Sequence, residues 1–145
     1  MKTIKAYLLV FLTYLIVDCC YQFIFGIEFS TQQYKEAGIM DILASPPQHL
    51  WLFLVFFILI TTANVELAVK PALQKNNLKI ALKNSSIVGL CSYGTLATCI
   101  TWTISDFPLI MTLEILLEGL VFSTISSFIS TKILSKQNVK RTIIS

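Results

Sequence analysis

Four long apolar runs leave this chain few ways to fold. They cover residues 6–27, 50–69, 80–104 and 109–131. At about 1.5 Å per residue, each run coiled as a helix crosses about 30 Å of hydrocarbon. The expected fold is all-α: an integral membrane four-helix bundle, with residues 1–145 forming a single transmembrane domain. Composition agrees, because 55% of the 145 residues are hydrophobic and only 13% are charged. A soluble domain carries about 25% charge, so soluble enzyme folds are excluded, and the connections are too short for a separate aqueous domain.

The charges are distributed by side. Lys2 and Lys5 precede the first span, Lys70, Lys75, Lys79 and Lys83 lie between the second and third, and Lys132, Lys136, Lys140 and Arg141 follow the fourth. Lys35 alone falls in a loop on the opposite side. This positive-inside asymmetry predicts a multi-pass membrane protein with both termini and the basic connection facing the cytoplasm. It explains the net charge of +3 without nucleic acid. The basic connection also suits membrane lipid with anionic headgroups.

The first run is longer than a cleavable signal sequence and lacks an Ala-x-Ala exit, so it reads as a retained anchor. Asp18 before Cys19 argues against a lipoprotein site. Ser105, Asp106 and Pro108 predict a tight outer turn joining the third and fourth spans as an antiparallel hairpin. Pro71 is expected to end the second span. Trp51 and Trp102 fall where an outer aromatic belt would place them. In the first outer loop, Ser30-Thr31-Gln32-Gln33 has capping-box spacing and predicts a short interfacial helix, with Ile39, Met40, Ile42 and Leu43 dipping into the interface.

Function is sought in polar groups that lipid makes costly. Asp18, Glu66, Glu114 and Glu118 all fall within the runs, where an ionised side chain at the helix centre costs at least ~2.5 kcal/mol. Glu66 is expected to pair with Lys70 one turn on. Asp18 sits in a stripe of Tyr7, Phe11, Tyr14, Asp18, Tyr21 and Phe25 that keeps one helix face. Tyr14 and Tyr21 flank it by one turn. Glu114 and Glu118 share a face of the fourth span, and Asp18 and Glu118 lie at similar depths of ~12 and ~13 Å from the outer ends. Carboxylates gathered in a low dielectric cannot all ionise, so Asp18, Tyr14, Tyr21, Glu114 and Glu118 form a candidate proton- or ligand-binding set. The alternative is a buried polar cluster that fixes helix register.

Gly94, Ala97 and Thr98 in the third span and Gly119, Ser123 and Ser127 in the fourth are small residues at helix-packing spacing. Packing within the bundle, a homodimer or a partner membrane subunit would each use them. Cys19, Cys20, Cys91 and Cys99 form no C-x-x-C pair, and with His49 the only histidine no metal site or cofactor is expected. The four thiols read as reduced core cysteines.

Several of these residues carry a family likeness. Asp18 with Tyr21, Tyr34 with Gly38, Pro71-Ala72-Leu73, Gly89-Leu90, Tyr93, Thr95, Pro108-Leu109 and Gly119 occur in an order that resembles the bacterial membrane family catalogued as domain of unknown function 2177. The likeness runs from Tyr7 to Phe128. It implies a four-helix inner-membrane protein and assigns no activity. The family's Tyr-Asp-Leu-Thr-Asn stretch falls on Leu96, Ala97, Thr98, Cys99 and Ile100, so that acid and amide are missing. Its Asp-x-x-Trp-Gly falls on Ile115 to Gly119, with Glu118 at the tryptophan position. The chain therefore reads as a divergent member. Two function classes remain, a proton-coupled carrier or transporter of a cationic or lipid-like ligand and a non-catalytic scaffold or accessory subunit; an enzyme acting on lipid or quinone stands in reserve, since the sequence offers no nucleophile, metal or cofactor for it.

Overall fold

Helix follows helix throughout the computed structural model, which describes residues 2–38 and 50–144. In chain order α1 spans Lys2–Tyr21, α2 Ile27–Glu36, α3 Leu50–Asn64, α4 Lys70–Gln74, α5 Leu78–Thr103 and α6 Leu109–Ile144. π-helical turns at Gln22–Gly26 and Val65–Val69 join α1 to α2 and α3 to α4. No strand occurs among the described residues.

The first helical stretch thus continues well beyond the hydrophobic run. Ser30 lies inside α2, so its capping-box spacing does not start a helix. An unbroken helical register through the π turn leaves Ser30 no free N–H groups to cap. Gly38, at φ +72°, stops the segment instead, in the left-handed conformation that glycine adopts without strain. The expected interfacial residues Ile39, Met40, Ile42 and Leu43 lie outside the described residues.

Pro71 does not end the second span. It sits in the first turn of α4, directly after a π turn. Proline has no N–H for the Leu67 carbonyl one turn back, and the Asn84 side-chain amide of α5 donates to that carbonyl at 2.6 Å. The helix ends one turn later. Asn76, at φ +47°, takes the left-handed position, and the Asn77 N–H reaches back to the Ala72 carbonyl at 2.9 Å. The Asn77 side chain then accepts from the Lys79 N–H and opens α5.

Three helical segments, Ile4–Ile24, Leu54–Gln74 and Leu109–Lys136, are long and apolar enough to cross a membrane. α5 has the length, 26 residues, but is not among them. Its apolar character is diluted by serines, threonines and Asn84. Most of its hydroxyls bond to carbonyls of their own helix: Ser85 to Ala81, Thr95 to Cys91, Thr98 to Gly94 and Thr101 to Ala97. This lowers the cost of those hydroxyls in lipid.

α5 and α6 form an antiparallel hairpin across the Ser105–Pro108 turn, where Asp106 has φ +64°. Their crossing is backbone on backbone. A Cβ at Gly89 would fall 2.0 Å from the Gly119 carbonyl oxygen, and one at Gly119 would meet the Tyr93 side chain at 2.4 Å. α1 packs against α6 and α3. Its buried positions Ala6, Val10 and Tyr14 repeat every four residues, while Leu8, Leu12 and Ile16 face outward. The central core joins Tyr14, Ile60, Val88, Tyr93 and Phe122, with edge-to-face rings such as Tyr14 on Phe57 and on Phe122. Polar side chains, Asn64 and Ser123 among them, are buried inside while large apolar ones lie outside, a pattern suited to lipid rather than water.

Candidate functional site

Beyond Tyr14, the polar residues of the first helical stretch meet those of α6. The Tyr21 hydroxyl donates to Glu114 Oε1 at 2.9 Å. One residue on, the Gln22 amide reaches Glu118 Oε1 at 3.4 Å. Gln22 also pairs with Asp18, one turn back on the same helix. Glu118 lies within electrostatic reach of both Asp18 and Glu114. Acids from near the two ends of the polypeptide are therefore gathered at one level, bridged by a phenol and an amide. The spacing of the acids is periodic and readable. Gln22 is not among the expected site residues, and its only sequence signal is that it is polar, inside an apolar run and four residues from Asp18.

Tyr14 lies at the base of this set. Its ring is fully buried, beside Tyr93 and Ser123, and its hydroxyl makes no well-formed hydrogen bond. Tyr34 of α2 approaches from the other end, with its ring 6.2 Å from that of Phe107. Burial, reinforced by the charges of Glu114 and Glu118, pushes the Tyr34 phenol above its ordinary range.

Below Tyr14 the interior stays polar. Asn64 is fully buried and donates to the Ile60 carbonyl at 3.0 Å and to Ser123 Oγ at 3.4 Å, while Ser127 Oγ donates to its Oδ1 at 3.0 Å. Ser123 and Ser127, expected as packing residues, do pack closely and also satisfy this amide. Gly119 and Ala97 are buried at helix contacts, and Gly94 sits against Leu116. Thr98 is exposed and bonds only to its own helix, so it takes no part in packing inside the chain. Gly89, the closest crossing point, was not among the expected packing residues.

Glu66 stands apart from the cluster. Lys70 Nζ lies 2.5 Å from its carboxylate, and the Tyr7 hydroxyl donates to the same oxygen. The four cysteines are free and exposed, correcting their expected place in the core. Among the described residues no group of His, Cys, Asp and Glu is arranged to hold a metal ion.

A family model described as "Predicted membrane protein (DUF2177)" matches residues 3–132. The chain belongs to this family. No curated protein and no solved structure matches it. For this DUF2177 member, the description supports an integral membrane protein with several apolar helices and assigns no chemistry to the acids.

Proposed function

We propose that this DUF2177 protein is a small proton-coupled carrier of the bacterial inner membrane. Asp18, Glu114 and Glu118 hold an exchangeable proton or a cationic group, with Tyr14, Tyr21 and Gln22 positioning them. The reading takes α5 as a fourth crossing beside the three strongly apolar segments, in one domain with both termini cytoplasmic. The observation that carries it is the pair of contacts from Tyr21 to Glu114 and from Gln22 to Glu118, which draws the acids together inside the helix set. Three carboxyl groups in a medium that disfavours charge retain a proton more readily than isolated ones.

The scaffold alternative loses part of its expected contact surface, because Gly119, Ser123 and Ser127 are buried within the chain itself, while Thr98 is exposed.

The test is proton uptake and release by the purified protein after a pH step. Asp18→Asn is expected to shift the midpoint of that exchange, and Glu118→Gln to shift it in the same direction. Profiles unchanged in both variants would contradict the carrier reading.

A further inference from the structure

Glu114 uses only half of its carboxylate within the chain. Oε1 accepts from Tyr21, whereas Oε2 is buried without a hydrogen-bond partner, in a side chain only 9% exposed. Glu114 also lines a cleft of about 610 Å³, together with Tyr21, Phe29, Ile110, Leu113 and Leu117. That volume falls in the range of small-molecule sites, about 300–1,000 Å³, and apart from Tyr21 and Glu114 the lining is apolar. We propose that this cleft binds a lipophilic amine, with its ammonium on Glu114 and its apolar body along Ile110, Leu113 and Leu117. The proposal rests on the carrier reading and names the ligand class of that site.

The chemistry selects the occupant. An ammonium supplies three N–H donors, one of which meets Oε2 once the Glu114 side chain turns that buried oxygen toward the cleft. Asp18 and Glu118 stand close by, and the titratable neighbours Tyr21 and Tyr34 are phenols, so the surroundings repel an anion. The aromatic residues Tyr21 and Phe29 line the cleft, and aromatic rings favour a cation over an anion. A quaternary ammonium keeps that attraction but lacks the N–H donor. Ile110, Leu113 and Leu117 are exposed on the flank of α6, which opens the cleft sideways toward lipid. When the ammonium pairs with Glu114, the proton it displaces from the carboxyl cluster leaves to water, so charge in the site is conserved.

Radiolabelled decylamine binding to the protein in lipid nanodiscs tests this, with empty nanodiscs as baseline. Saturable binding of one amine per chain is expected, with decanol, decanoate and decyltrimethylammonium at least about tenfold weaker as competitors. Leu113→Trp, which fills the cleft, is expected to weaken binding about tenfold. Leu12→Trp, on the outward face of α1, is expected to leave it unchanged. No saturable binding, equal competition by decanol or decyltrimethylammonium, or undiminished binding by correctly eluting Leu113→Trp would each overturn the proposal. Asp18→Asn separates this from the carrier reading. A shifted proton exchange with unsaturable decylamine overturns the cleft alone, whereas exchange unshifted in both Asp18→Asn and Glu118→Gln, with specific decylamine binding, overturns the carrier reading and supports the cleft.

Discussion

Gly89 shows how a single missing methyl group can fix a helix crossing. A Cβ at that position would lie only 2.0 Å from the Gly119 carbonyl oxygen, so even alanine forces α5 and α6 apart. Gly89→Ala is therefore expected to destabilise the protein by about 2 kcal/mol, read as a lower midpoint in detergent-induced unfolding. Gly94→Ala serves as the comparison, since its added methyl meets only the end of the Leu116 side chain, at 3.2 Å. A smaller loss at Gly94 than at Gly89 is expected. Asn64 is the opposite case, a side chain retained for its polarity. Asn64→Leu leaves Ser123 and Ser127 without their shared partner, and a loss of about 1–3 kcal/mol is expected in the same assay. Neither residue is conspicuous in the sequence, because hydropathy averages over a window and does not report what a side chain faces.

α3 and α4 show how an element survives a residue that should end it. Pro71 removes the donor for the Leu67 carbonyl, the π turn makes room for the ring, and Asn84 supplies a donor from the neighbouring helix. Asn84→Ala is expected to cost about 1 kcal/mol of stability in the native chain. In a Pro71→Ala background, where residue 71 regains its N–H, the same change is expected to cost much less. Equal costs in both backgrounds would show that the Asn84 amide does not replace the missing donor. The sequence points to Pro71 as a helix end because the rescuing amide comes from a residue thirteen positions later, in another helix. The turn at Ser105–Pro108 is legible for the converse reason: its proline and left-handed Asp106 act locally.

Across the whole molecule, apolar run lengths are enough to reveal helices suited to lipid, and the 3.6-residue period is enough to put Asp18 on the side that meets α6. Its meeting with Glu114 and Glu118 follows from matching depth along neighbouring helices. Which side chains complete the contact is not legible, since Gln22 acts through a tertiary pairing and its periodicity equals that of any packing residue. The thiols went astray for a related reason: an apolar helix has no polar face to mark its outside, so burial cannot be assigned from composition. The lysine asymmetry carries its own prediction at this scale. Cysteine placed at Lys79 is expected to react with an impermeant thiol reagent only from the cytoplasmic side, and cysteine at Asp106 only from the outer side.

The central claim is that acids from the first and last helices share one protected level. Cross-linking by a short bifunctional thiol reagent tests it most directly, in a background where the four exposed native cysteines are replaced. Gln22→Cys combined with Glu118→Cys is expected to be bridged readily by a short bifunctional thiol reagent, because the native side chains touch through their tips at 3.4 Å, a reach that a direct disulfide would not span. Phe23→Cys, on the outward face one residue along, is expected not to cross-link with Glu118→Cys. A pair at 22 and 118 that the reagent fails to bridge, or a pair at 23 and 118 bridged equally fast, would contradict the account.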